Sequence, residues 1–374
     1  MSDRIRRLAG ALALLSTVTP AAAADGVTLL DLPFRATALR GPGSEVAVAT
    51  ATSGLIPSMK PRPATAPGEE PAEETPVAVI WGEDGAAALG LVDGLVRSKA
   101  ISPEAVRELV ASETPRGALS GSRRAISGGL SAYLSGPTRA LAPDGVTNAA
   151  ALTVRERQAM AVTTEPKPVP VASATVPAGE GAVFAPFRPR ALRLDGAPAF
   201  LATVLRGDGS ALAVVSRKGS EAWNVTATGG AIKGDPLQVV AVAPFESGGR
   251  PAAATLSGGL LRLWRLSGVP FSPTQAPGFA SEGAADPGDA AAPLDIDGDG
   301  VAELVLPVAD RSAVALVSFA DGTARERGRA ALPSPAGFGL AVLGTGREAR
   351  VLVGLADGRV ALVPAALLAG GRAP

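Results

Sequence analysis

Nine residues in the last quarter of the chain carry its most specific chemistry: Asp295-Ile-Asp297-Gly-Asp299-Gly-Val301-Ala-Glu303. Carboxylates at the first, third and fifth positions of such a loop turn inward when the backbone curls around a cation. Gly300, at the sixth position, permits the sharp bend, Val301 offers its main-chain carbonyl at the seventh, and Glu303 closes the loop at the ninth. Every donor is oxygen and several are charged, which suits Ca²⁺, tolerant of six to eight oxygens, better than Mg²⁺. The twelfth position is Leu306, where a helix–loop–helix site needs a bidentate Glu, and Leu304-Val-Leu306 are strand formers. The spacing therefore predicts a calcium loop running into a strand. Its ligands are Asp295, Asp297, Asp299, Val301 and Glu303, and its expected role is to fix a connection.

The rest of the composition removes other chemistries. The 374 residues contain no cysteine and no histidine. That excludes disulfides, thiol nucleophiles, Cys/His zinc sites and imidazole proton shuttles. Lys+Arg and Asp+Glu both number 35, so no global field attracts nucleic acid or an anionic membrane. Aromatics make up 3%, too few for base- or sugar-stacking platforms. No Gly-x-Ser-x-Gly elbow is present. The expectation is a protein without catalytic activity. The alternative is a periplasmic hydrolase or lyase whose carboxylates, drawn from distant elements, meet at a central channel. Arg206-Gly207-Asp208 and Gly344-Thr-Gly346 read as turns, and Trp81, Trp223 and Trp264 fall in apolar runs and read as core.

The elements that must position the acidic loop are repeated hairpins. Four times an aliphatic run meets a Gly/Asp turn and returns as a second such run, starting at Phe200, Ala252, Leu304 and Val351. A spacing of about fifty residues built from strands points to propeller blades rather than to a helical solenoid. Weaker copies precede them: Val46–Thr50, Val77–Trp81 turning at Asp84-Gly85, Leu130–Leu134, Ala149–Val154 and Ala159–Thr163 all read as strands. Three units before residue 186 and four after it give an all-β β-propeller of about seven blades, six or eight remaining compatible with the eroded N-terminal copies. Two insertions interrupt the pattern. Residues 57–76 hold six prolines and Glu69, Glu70, Glu73 and Glu74, the composition of a disordered loop. Residues 102–112 open with Ser102-Pro103-Glu104 and predict a short helix.

Residues 1–24 read as a signal peptide that is removed: Arg4, Arg6 and Arg7 precede an apolar Leu8–Val18, and Pro20 leads into Ala21–Ala24. Residues 25–374 then form a single propeller domain, periplasmic or secreted. The expectation is a monomer with no membrane span, acting as a binding or scaffolding module for an envelope protein or glycan.

Asp-x-Asp-x-Asp-Gly-x-x-Glu followed by an aliphatic strand resembles the FG-GAP/VCBS repeats of integrin-α-like β-propellers. The likeness is greater still to exported alphaproteobacterial VCBS-repeat proteins of unassigned function. It covers roughly residues 126–366, with Gly128–Thr138 fitting an early segment of that group. It implies calcium clips in the loops before each blade's first inner strand. Pro244–Ala252 keeps the loop length with one carboxylate, Glu246, and Val342–Arg350 keeps no carboxylate at a matching position. Calcium is therefore expected at 295–303 only.

Overall fold

The computed structural model describes residues 26–52, 76–143, 145–158, 169–207, 209–266, 273–280, 289–319 and 322–370. The expected signal peptide, residues 57–75 of the expected disordered loop and the expected strand Ala159–Thr163 lie outside the described residues.

The chain enters through a two-residue strand, β1 (Thr28–Leu29). The first unit holds β2 (Ala38–Arg40), helix α1 (Glu45–Thr52), β3 (Val77–Trp81), β4 (Ala86–Val92) and β5 (Leu95–Ile101). Helix α2 (Pro103–Ser112) leads to β6 (Ala125–Ser127), β7 (Leu130–Thr138), β8 (Asn148–Arg157) and β9 (Val171–Pro177). A short β10 (Ala182–Phe184) precedes β11 (Arg190–Leu194), β12 (Ala197–Arg206), β13 (Gly209–Ser216) and β14 (Asn224–Thr228), with β15 (Ile232–Lys233) beside β13. Then come β16 (Gln238–Ala243), β17 (Ala252–Ser257), β18 (Leu260–Arg265) and β19 (Pro273–Pro277). The fifth unit is β20 (Ala292–Leu294), β21 (Glu303–Pro307), β22 (Ala313–Ser318) and β23 (Arg325–Ala331). The sixth is β24 (Ala336–Leu343), β25 (Arg350–Leu355) and β26 (Val360–Pro364), followed by helix α3 (Ala365–Leu368).

Each unit is an antiparallel meander of four strands, and β1 supplies the fourth strand of the last one by pairing with β26. β10 touches both β8 and β12, so the second and third units merge into one ten-stranded sheet. The first strands pack side by side: β2 on β24, β24 on β20, β20 on β16, β16 on β11 and β11 on β6. The architecture is all-β and propeller-like, with the N-terminal strand closing the last sheet and so covering its edge.

The middle strands explain why the hairpins were legible. β12, β13, β17 and β21 are buried along nearly their whole length. Strands covered on both faces read as continuous apolar runs rather than alternating ones. Core clusters bridge adjacent units. Leu256 and Leu261 of the fourth unit pack with Leu304 and Leu306 of the fifth, and Leu316 of the fifth packs with Val351 and Val353 of the sixth.

One expectation changes. Val46–Thr50 is helix, not strand: the Ser44 hydroxyl accepts the Ala47 amide at 3.2 Å, Glu45 lies in the first turn, and Val46, Ala47 and Thr50 are buried. A capping serine before an alanine-rich run outweighs its β-branched alternation. Without that strand, the described residues hold two four-stranded units before residue 186 and four after it, a count among those the eroded N-terminal copies allowed. The expected helix near 102–112 is α2, with Ser102 accepting the Ala105 amide at 3.2 Å and Pro103 in the first turn.

Gly82 sits where the entry segment crosses the β3–β4 turn. A Cβ there would stand 1.9 Å from the Arg35 carbonyl oxygen, a backbone atom that cannot rotate away. Gly82→Ala is expected to cost about 1–3 kcal/mol, the range for forced overpacking, read as a lower unfolding midpoint in urea.

Candidate metal centre

The loop 295–303 lies between the first and second strands of the fifth unit, β20 and β21, rather than before the first strand as the family resemblance implied. β20 is only three residues long, within an alanine-rich stretch that carries no strand signal. Gly298 (φ 77°) and Gly300 (φ 82°) hold the left-handed conformations that curl the loop, which side chains with a Cβ rarely adopt. Asp295 clasps the loop from inside. Its Oδ1 accepts the Gly298 amide at 2.7 Å and its Oδ2 the Gly300 amide at 2.9 Å. Asp299 Oδ1 accepts the Val301 amide at 2.8 Å. One carboxylate oxygen each from Asp295, Asp297 and Asp299 lies within 4.8 Å of the others. That spacing and an all-oxygen donor set fit a hard divalent cation.

Glu303, the first residue of β21, is 3% exposed. One of its oxygens accepts the Ile296 amide at 3.2 Å, and the other accepts Nη1 of Arg327. The same Nη1 donates to Asp297 Oδ2 at 2.9 Å. Arg327 was not visible as a site residue in the sequence. On β23, Gly328 faces Leu316 and Glu326 faces Val317, so Arg327 is the extra residue of a β-bulge. Bulges re-aim side chains, and no sequence signal marks this one. Burial pushes the Glu303 carboxyl above the ordinary range despite its two donors, whereas the Arg327 hydrogen bond holds Asp297 below it. Val301 is 8% exposed, and the Asp295 carbonyl accepts the Gly346 amide at 3.0 Å, joining the loop to the β24–β25 connection.

The corresponding loops of other units sit at the same topological position. Between β11 and β12 the connection is the two-residue turn Asp195-Gly196, both at positive φ. Between β16 and β17, Glu246 is held by Arg265, whose Nε donates to Oε2 at 2.6 Å. The β24–β25 connection is a short 3₁₀ turn over Gly346–Glu348.

A second charged cluster joins residues that no local pattern connects. Arg40, at the end of β2, donates from Nη1 to Asp289 Oδ2 at 2.8 Å, and Arg123 donates from Nη2 to the same oxygen at 2.8 Å. Glu113, 2% exposed at its side chain, faces both arginines. Arg40 also lies 5.2 Å over the Trp81 ring. The cluster ties the first strand of the first unit to the segments before β6 and β20. Trp264 and Trp223 are core, at 1% and 9% exposure, while Trp81 is half-buried beneath Arg40. Gly207 turns between β12 and β13, and Asp208 lies outside the described residues. A separate cleft of about 430 Å³ lies where β1 and the β25–β26 turn meet the β3–β4 turn, lined by Leu30, Phe34, Arg35, Asp84 and Arg359 among others. Among the described residues no helix is long and apolar enough to cross a membrane.

No protein-family model matches the chain, and no curated protein matches it by sequence. Among solved structures, it is similar to a candidate 6-phosphogluconolactonase from Bacteroides uniformis at 11% identity and TM-score 0.36, covering 74% of this chain and 86% of that one. It is similar to AofleA from Arthrobotrys oligospora at 10% identity and TM-score 0.38, covering 88% and 82%. It is also similar to a mutant Trypanosoma rangeli sialidase with trans-sialidase activity, at 11% identity and TM-score 0.41, covering 91% of this chain and spanning 59% of that one. Two of the three carry enzyme names, and the expectation of a chain without catalytic activity is not upheld. The missing histidine and cysteine remove imidazole and thiol mechanisms and leave carboxylate chemistry open.

Proposed function

We propose that the chain is a six-bladed β-propeller of the cell envelope, exported and monomeric, in which a calcium ion clips the fifth blade and the loops present a surface to an envelope protein or glycan. Asp295, Asp297, Asp299, the Val301 carbonyl and Glu303 would hold the ion, which would supply charge neutralisation and a rigid loop. The convergence of three aspartate carboxylates within 4.8 Å on a loop bonded to the next unit carries this reading. Kinship with the FG-GAP/VCBS propellers rests on the same nine residues. A ligand that binds only the folded chain stabilises it by about 2.7 kcal/mol at one hundred times its Kd. Calcium is therefore expected to raise the melting temperature of the mature chain over that in chelator. Asp299→Asn keeps an acceptor for the Val301 amide, loses the charge, and is expected to lose most of that rise. A wild type whose melting ignores millimolar calcium would sink the reading.

One observation favours a second reading, a hydrolase or lyase using carboxylates from distant blades. Glu113 and Asp289 meet on Arg40 although they lie far apart in sequence. If that reading holds, Glu113→Gln abolishes turnover in a screen of polysaccharide and lactone substrates. Turnover unchanged in the folded variant would exclude it.

A further inference from the structure

The calcium loop already holds a cation of its own. Nη1 of Arg327 donates to both Asp297 and Glu303, the third- and ninth-position donors of the loop. Its guanidinium thus stands between two of the carboxylates that would have to turn onto a metal. The β-bulge in β23 makes this reach possible, because it takes Arg327 out of the pairing of its strand. The side chain is 32% exposed, so it has room to swing into solvent, whereas Glu303 at 4% is fixed and has no such exit.

The fourth unit also pairs a carboxylate of the corresponding loop with a guanidinium, there from its third strand rather than its fourth. There the loop between first and second strands keeps only Glu246, and Arg265 at the end of β18 binds it through Nε and Nη2. In that loop a single carboxylate is matched by a single guanidinium. In the fifth unit the loop has four carboxylates and the same kind of partner. A divalent ion placed among them would face a guanidinium on shared oxygens, and like charges at that range repel.

We propose that Arg327 is the resident counter-ion of the loop, and that a divalent cation binds by displacing it from Asp297 and Glu303. This rests on the calcium reading above and adds to it how affinity is set. The loop stays folded without metal because Arg327 neutralises part of its charge. Calcium affinity is correspondingly lowered, since each binding event must break two charge-assisted hydrogen bonds.

Calcium titration of the mature chain by calorimetry, with melting in chelator alongside, tests this for wild type, Arg327→Gln and Arg327→Lys. Arg327→Gln is expected to bind calcium at least about tenfold more tightly, the equivalent of one modest charged hydrogen bond no longer broken. In chelator it is expected to melt below wild type, and calcium should restore the difference. Arg327→Lys, which keeps the charge without the planar fork, should fall between the two. Equal calcium affinity in wild type and Arg327→Gln overturns the displacement while leaving the calcium reading intact. No binding by either protein overturns both.

Discussion

Asp289→Ala is expected to lower the unfolding free energy by about 3–5 kcal/mol, the range for removing one partner from a buried ion pair. The Asp289 carboxylate receives one hydrogen bond from Arg40 and one from Arg123, both at 2.8 Å, and the three side chains are only 12%, 11% and 8% exposed. Without it, two desolvated guanidiniums face each other with Glu113 as their only remaining carboxylate among these four residues. The loss comes from that uncompensated charge rather than from the pair's intrinsic worth. Because the cluster is buried, the difference from wild type should persist in molar salt, where exposed pairs such as Arg359–Asp357 are screened. Urea titrations at low and high salt read both points. A change below about 1 kcal/mol, the range of a surface pair, would show that the cluster is not a tie between units.

Trp264→Ala is the second large effect, expected at about 3–5 kcal/mol, as for other buried tryptophans cut to alanine. Trp264 lies on β18 of the fourth unit and is 1% exposed. It packs with Leu201, Leu212 and Val214 of the third unit, so the cavity opens at the contact between units. Its Nε1 also donates to the Thr255 hydroxyl at 2.8 Å, and Thr255 is fully buried. Trp264→Phe separates the two contributions. It keeps most of the apolar volume and drops the hydrogen bond, which by itself is worth about 1 kcal/mol. Denaturant unfolding of both variants checks the order. If Trp264→Phe proves as damaging as Trp264→Ala, the hydrogen bond rather than the packing dominates.

What could be seen in advance follows burial. The four hairpins starting at Phe200, Ala252, Leu304 and Val351 stand as read, because the first strand of each is covered on both faces and is therefore mostly apolar. The outer strands β5, β9 and β23 are mostly exposed, and charged residues in β5 and β23 interrupt any apolar run, so no buried stripe marks them as strands. The short first strands β6 and β20, three residues each, are too brief to carry a period. Val46–Thr50 shows the opposite failure: its alternation suited a strand, but the cap at Ser44 and burial against Val106 of α2 placed it in a helix.

At the candidate centre the same division holds. The spacing of Asp295, Asp297 and Asp299 with glycines at 298 and 300 is a local property, since loop curvature is set by φ angles within the segment itself. Its carboxylates therefore converge as their order along the chain required. Arg327 could not be read, because it arrives from another strand through a bulge that depends on pairing with β22. Nor could the meeting of Arg40 with Asp289, 249 positions away, since such contacts exist only when the first strands of different units pack side by side. The sequence by itself determined the hairpins, the acidic loop and the lack of imidazole and thiol chemistry, all of which need only neighbours along the chain. The tertiary structure alone decided which strands share a sheet, the guanidinium that faces the loop and the buried charges that tie distant units together. Those depend on surfaces brought together by burial, and no short-range pattern encodes them.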